Sequence, residues 1–384
     1  MTLPFGPSDV DDLRVRLART RWPDEPAGAG DRYGLPLADA RDLATYWAEG
    51  FDFDAFAHRL DALPHHAVQI DGATVHCVHA RSSRPDATAL LLTHGWPGSI
   101  LEFTGLLDAL TEPDGPDVPA FHVVVPSIPG FGLSGPTRDT GWGTARIARA
   151  FDVLMNRLGY DRYGAHGGDW GALITRELAL MAPQALSGQH LTMLPWAVAR
   201  PGVEVPGADP ETVAASARRA ALARRDELGY GIQQGTRPMT LAYGLTDSPV
   251  GQLAWIAEKI YAWSDPACRP DRDTILANVS LYWFTRTAGS SARLYREYYR
   301  STVDTAARGE GPARGHVRTG VSVFPHDTSL PVRELAERLD PVERWTVHER
   351  GGHFPGWEQP DELVAELREF LGRRGAGRQH TAER

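Results

Sequence analysis

Gly167-Gly168-Asp169-Trp170-Gly171 is the stretch on which the fold turns. Just upstream, Arg162-Tyr163-Gly164-Ala165 reads as a strand running into glycines, and downstream Ala172 to Met181 reads as a helix. Small residues on both sides of one side chain permit a sharp strand-to-helix turn that leaves that side chain exposed. The side chain here is Asp169. An aspartate, with a reference pKa of about 3.9, is ionised at neutral pH and needs no base before it attacks. Attack would leave an ester that must then be hydrolysed. The plain alternative is a glycine-rich turn whose aspartate caps the helix. The company the segment keeps separates the two.

Outward from this turn, strands and helices alternate. Val68-Gln69-Ile70 and Thr74 to Val78 flank Asp71-Gly72 and read as a hairpin. Ala89-Leu90-Leu91-Leu92-Thr93 and Val123-Val124-Val125 are short apolar runs of the buried-strand kind, and Ile147, Phe151, Leu154, Met155 and Leu158 recur at helical spacing. The pattern returns late in the chain: Val321 to Phe324, a helix from Pro331 to Leu339, Trp345-Thr346-Val347, and a helix from Asp361 to Leu371. Repeated βα units predict an α/β fold, a mostly parallel sheet with helices on both faces. Residues 196–302 interrupt it. They are aromatic and rich in Arg and Ala, with helical periods and no strand signal, and they predict an inserted helical cap. The predicted organisation is therefore an N-terminal helical extension over 1–65 packed on the core, core over 66–195, cap over 196–302, core again over 303–371, and a flexible tail over 372–384. Within the extension, Ser8-Asp9-Val10-Asp11 reads as the cap of a helix carrying Leu13, Leu17 and Ala18.

Three further motifs surround Asp169 in the expected order. His94-Gly95-Trp96-Pro97-Gly98-Ser99 follows the strand ending at Thr93, where a loop of this kind donates a backbone N–H to an oxyanion. Trp96 and Trp170 are then the two donors, and a cis bond before Pro97 is compatible with the motif. Gly351-Gly352-His353-Phe354-Pro355 lies after the last predicted strand, where a base belongs. Val323-Phe324-Pro325-His326-Asp327 puts an acid after the strand before it, able to orient His353. Taken singly these are a βα turn, one of 14 histidines and a helix cap. Together Asp169, Asp327 and His353 give the nucleophile–acid–base order of the α/β-hydrolase fold.

Composition closes off other functions. The formal charge of −9 argues against binding nucleic acid, and no 18-residue apolar window suggests a membrane span. The first residues have neither a basic nor an apolar stretch of the signal-peptide type, and two cysteines, Cys77 and Cys268, fit a reducing cytoplasm. Gly130-Phe131-Gly132-Leu133-Ser134-Gly135 matches a dinucleotide fingerprint as a string, but Pro126 and Pro129 part it from its strand and the next helix starts near Thr144. No Gly-x-Ser-x-Gly occurs, which counts against an esterase, and no His-Glu-x-x-His or paired-cysteine motif occurs; no metal or cofactor is expected.

These motifs resemble, over nearly the whole chain to about residue 371, the microsomal-type epoxide hydrolases and their soluble bacterial and fungal relatives. Leu17-Ala18-Arg19-Thr20-Arg21-Trp22-Pro23 resembles the end of that family's N-terminal extension, which wraps the hydrolase core. In the cap, Gly229-Tyr230-Gly231 with Gln234-Gly235-Thr236-Arg237-Pro238, and Leu294-Tyr295-Arg296-Glu297, resemble the segments carrying two ring-opening tyrosines. The resemblance thus implies Tyr230 and Tyr295 in those roles, with Tyr298 and Tyr299 as alternatives to the second. It implies conversion of an apolar or aryl epoxide to a vicinal diol through a covalent ester of Asp169, with water as the other reactant. It also implies a homodimer, and a role in either catabolism or natural-product biosynthesis, of which the second is favoured. Two rivals remain: a haloalkane dehalogenase using the same aspartate, and a non-catalytic binding protein of this fold.

Overall fold

A computed structural model of the chain describes residues 4–307 and 311–372. The tail expected beyond residue 372 lies outside the described residues. The hairpin forms because Asp71 and Gly72 both take positive φ, 49° and 80°, the backbone of a tight turn whose twist matches its strands. It joins β1 (His65–Ile70) to β2 (Ala73–Ala80). The apolar runs become β3 (Thr88–Thr93) and β4 (Phe121–Pro126), followed by β5 (Tyr163–Gly167), β6 (Leu186–Leu191), β7 (Thr319–Val323) and β8 (Val342–Val347). They make one eight-stranded sheet in the order β1-β2-β4-β3-β5-β6-β7-β8. β2 pairs antiparallel with β1 and β4, and every pairing from β4 to β8 is parallel. This is the α/β-hydrolase fold that the motif order predicts. Helices such as Thr144–Arg157, which buries Ile147, Phe151, Leu154 and Met155, cover the sheet.

β6 was not foreseen. Its sequence, Leu186-Ser187-Gly188-Gln189-His190-Leu191, is too polar to read as a buried strand, yet Gln189 and His190 are fully buried. Three of their four side-chain polar atoms are matched across the sheet, all but Gln189 Oε1: Gln189 Nε2 donates to Thr319 Oγ1 at 2.9 Å, and His190 lies 3.0 Å from His166 and 3.2 Å from Ser322 Oγ. Paired polar groups can be buried at little net cost. The helix expected over 331–339 shrinks to Arg333–Ala336, starting after Val332, whose N–H donates to Ala197 O at 2.8 Å. Nor does Ser8 cap the first helix. That helix is Pro7–Ala18, and Asp9 folds back to accept the N–H of Gly6 at 2.9 Å.

Between β6 and β7 the chain is helical: Pro210–Leu222, Gly229–Thr236, Pro238–Asp247, Pro249–Trp263, Arg272–Thr285 and Ala288–Ala307, with a π turn at Ala223–Glu227. The last of these helices runs past residue 302, the expected end of the cap. The N-terminal helices are tied mainly to this insert rather than to the sheet. Trp47 Nε1 donates to Ser280 Oγ at 2.8 Å, Phe5 stacks on Phe284 at 4.3 Å, and Arg16 reaches Asp247 Oδ1 at 3.1 Å. The extension thus braces the insert that faces the sheet's functional edge.

Candidate active site

The turn after β5 is held by missing side chains. A Cβ on Gly171 would stand 1.9 Å from Thr93 O, and one on Gly167 would stand 2.1 Å from Gly171 O. The backbone therefore closes tightly, and Asp169 is left at φ 51°, ψ −124°, a conformation costing a non-glycine residue about 1–3 kcal/mol. A Cβ on Gly95 would lie 2.3 Å from Asp169 Cβ, so only glycine lets the β3 loop approach. That approach brings Trp96 N–H to Asp169 Oδ1 at 2.8 Å. Trp170, the other expected donor, begins the helix Trp170–Met181, but its N–H makes no hydrogen bond to Asp169 among the described residues. The bond before Pro97 is cis. The insert secures this loop: Asn278 Nδ2 donates to Pro97 O at 2.8 Å and Tyr282 Oη to Gly98 O at 2.7 Å.

His353 meets Asp169 from the other side. Its Nδ1 is 2.7 Å from Asp327 Oδ1, and its Nε2 is 3.5 Å from Asp169 Oδ2. Burial alone would lower its pKa, but the charge of Asp327, the nearby carboxylate of Asp169 and the hydrogen bond to Asp327 outweigh that and hold it well above the ordinary imidazole range. Asp327 is steadied by Thr328 N–H at 2.6 Å, while Arg219 of the insert donates to Asp327 O and Pro325 O. The loop carrying His353 is stitched to the end of helix Pro249–Trp263. His353 N–H donates to Trp263 O at 2.9 Å and Gly351 N–H to Asp265 Oδ2 at 3.0 Å.

Tyr230 and Tyr295 stand over the carboxylate. Their hydroxyls are 3.4 Å apart. Tyr230 stacks on Trp96 with ring centres 4.8 Å apart, and Tyr295 meets Trp170 edge-on at 4.6 Å. Burial first, then the charge of Asp169 for Tyr230 and the neighbouring Tyr230 for Tyr295, pushes both phenols well above their usual pKa, so both keep their protons. Tyr298 packs edge-on to Trp170 at 5.1 Å. Tyr299 lies against Gly235, where a Cβ would stand 2.1 Å from its ring. Beneath the tyrosines a cavity of ≈300 Å³ reaches from Asp169 past Leu173, Met193, Val198 and Trp263. A larger cleft of ≈680 Å³ lies elsewhere, between the first helix and the insert, and carries none of these groups.

The structure therefore gathers Asp169, His353, Asp327, Tyr230, Tyr295, Trp96 and Trp170 in one place. It also adds residues that sequence reasoning missed. Glu227 Oε2 accepts from Trp263 Nε1 at 3.1 Å and pairs with the buried Lys259 at 3.0 Å, whose ammonium lies 5.1 Å from the Tyr230 ring centre. Glu358 accepts from Asp265 N–H at 2.6 Å and Phe354 N–H at 2.8 Å, and burial pushes its carboxyl up to about 7. Glu102 is buried beside Asp169 and His353. None of these sits in a motif. For Glu102 and Glu358 only burial among apolar neighbours marks them, and that needs coordinates.

Comparison with known proteins agrees with the geometry. Residues 1–103 match the family described as epoxide hydrolase N terminus, and residues 88–243 match the alpha/beta hydrolase fold. A Stigmatella aurantiaca protein assigned as an epoxide hydrolase is 40% identical, over 94% of this chain and 82% of its own length. Epoxide hydrolase 1 of Sus scrofa is 30% identical, over 95% of this chain and 86% of its own. The solved Aspergillus niger epoxide hydrolase superposes with a TM-score of 0.86 at 30% identity, covering 97% of this chain and 95% of that one. The site and fold define a hydrolase of the α/β-hydrolase class. Within that class, the chain belongs to the epoxide hydrolase family that carries this N-terminal extension. Among the described residues no helix is long and apolar enough to cross a membrane, and no side-chain cluster suits a metal ion.

Proposed function

We propose that the protein hydrolyses an apolar or aryl epoxide to a vicinal diol in two steps, with Asp169 as nucleophile and His353 as base. The observation that carries this reading is a carboxylate at a strained turn facing two protonated phenols, Tyr230 and Tyr295, across one apolar cavity. Asp169 attacks an epoxide carbon, the carbon–oxygen bond breaks, and the departing oxygen takes a proton from Tyr230 or Tyr295. A phenol suits this task because it donates strongly without being charged at rest. Tyr295 is the second tyrosine of the pair because its hydroxyl is the one beside Tyr230.

Esterification then changes His353. The charge on Asp169 disappears, and with it one of the two carboxylates that held the imidazole protonated. The proton His353 gives up balances the one the tyrosine lent. Neutral His353, still oriented by Asp327, takes a proton from water as the water oxygen adds to the ester carbonyl carbon. Trp96 N–H is aimed at Asp169 Oδ1, where the oxyanion forms, and a donor of this kind is worth about 3 kcal/mol. Trp170 N–H joins it as the second donor once the tetrahedral centre moves that oxygen. Collapse expels the diol, which takes its last proton from His353. The extension over 1–65, the core at 66–195 and 303–371, and the cap at 196–302 are the parts of this reading, the cap bringing the tyrosines and the core the triad. A homodimer and a cytoplasmic setting complete it, resting on the resemblance and on two cysteines left unpaired, and sedimentation tests the first.

The activity test uses the whole chain with styrene oxide, reading diol by chromatography, beside a haloalkane panel read for halide. Diol without halide is expected. Halide release with no diol from any epoxide tried would replace this reading with dehalogenation.

A further inference from the structure

A second, far smaller cavity adjoins the nucleophile. It measures ≈10 Å³ and is bounded by Gly98, Glu102, Gly168, Asp169 and His353 among others. A single water needs about 10–15 Å³ on this measure and two to four polar partners. Three residues with polar side chains border the space: Asp169, His353 and Glu102. His353 Nε2 has no hydrogen-bond partner, and its 3.5 Å from Asp169 Oδ2 is too long for a good bond.

Glu102 sits on the short helix Leu101–Thr104 and is only 7% exposed. Its surroundings are closely packed. A Cβ on Gly98 would come to 3.2 Å from Glu102 Oε2, and one on Gly356 to 2.5 Å from Glu102 O. Burial pushes the Glu102 carboxyl up to about 8, with Asp169 and Glu358 adding to the rise and His353 opposing it. It is therefore largely a neutral acid at pH 7, and its carboxyl also accepts from the backbone N–H of Gly356. The two-step reading above uses His353 and Asp169 but leaves Glu102 without a task.

We propose that this cavity holds the hydrolytic water and that Glu102 is its second anchor. One O–H of the water donates to the Glu102 carboxyl. The other faces His353 Nε2, which takes that proton as the oxygen bonds to the carbonyl carbon of the Asp169 ester. Glu102 gains and loses nothing over the step; it fixes the direction of the lone pair that attacks. The inference rests on the ester mechanism proposed above and concerns only its second half.

Single turnovers with styrene oxide, quenched at intervals and read by peptide mass, follow the ester on the peptide containing Asp169 as it forms and decays. Glu102→Leu is expected to leave formation near the wild-type rate and slow decay on the order of a hundredfold, the usual cost of a misplaced reactant. Glu102→Gln, which keeps an acceptor in place, recovers most of that loss. Should Glu102→Leu fail to fold, Gly98→Ala puts a methyl against the same carboxyl and is expected to slow decay selectively. Equal slowing of both steps, unchanged decay, or a Gln variant as slow as the Leu variant overturns the proposal. A wild-type protein that never forms an ester on Asp169 instead overturns the mechanism beneath it, and the proposal with it.

Discussion

His166 and His353 are both buried, but the first stands against another imidazole and the second against two carboxylates. His166 Nδ1 lies 3.0 Å from His190 Nδ1 across β5 and β6, with Ser322 beyond. Burial drives both imidazoles down, His190 to about 3, with the neighbouring imidazole adding to the fall of His166 and the charges of His348 and Arg344 to that of His190. They are neutral spacers between strands. At His353 the same burial is outweighed by Asp327 and Asp169, and the ring is held protonated. Burial makes a histidine inert. In the mechanism proposed above, a carboxylate on each side makes it a reservoir of one proton, released when one carboxylate is esterified. On that proposal, function at this site lives in the acids around the histidine.

Removing those acids breaks the contrast most severely. Asp169→Ala is expected to lower kcat for diol formation by about 10⁴-fold or more, the scale of losing one member of a group that acts as a unit. Asp327→Asn is expected to cost on the order of 10⁴-fold, as when the orienting acid of a triad is lost, with the fold intact by circular dichroism. It should also move the His353 titration down, toward the behaviour of His190, as followed by imidazole resonances. Tyr230→Phe is expected to slow ester formation by about 10²-fold or more in single turnovers while leaving ester decay close to normal. An equal loss in both steps would deny the tyrosine its ring-opening role.

The mildest change sharpens the comparison from the other side. His190→Gln is expected to leave kcat near wild type and cost about 1–3 kcal/mol of stability by leaving buried groups unpaired, read by denaturant titration. The pH dependence has opposite signs at the two sites. His190 is depressed in the fold, so the unfolded chain binds its proton first and stability falls as pH drops from about 6.5 toward about 3. His190→Gln removes that loss, and the gap to wild type narrows in acid. His353 is raised, so its contribution is full below about 6.5 and fades as pH climbs through its folded value. The gap for His353→Gln is widest in acid and narrows in alkali.

The same contrast explains what could be read without coordinates. Asp169, His353 and Asp327 were legible because each sits in a glycine- or proline-marked loop after a strand, and their order along the chain is informative. Gly95, Gly167 and Gly171 spoke for the backbone contacts that require them. β6 was not legible, because Gln189 and His190 look polar until Thr319 and Ser322 are seen opposite. Glu102 and Glu358 were not, because an acid in a sequence says nothing of its burial. Trp263 was one of 11 tryptophans until it lay 5.0 Å from the His353 ring. The preference for Tyr295 over Tyr298 and Tyr299 rests on a feature only coordinates give, its hydroxyl lying 3.4 Å from that of Tyr230.

The central claim is that Asp169 carries the substrate and His353 releases it. It is tested most directly by mixing His353→Gln with styrene oxide and taking intact and peptide masses. The account predicts a protein heavier by one epoxide, with the added mass on the peptide that contains Asp169. No added mass, from a variant whose parent turns over the same epoxide, would contradict it.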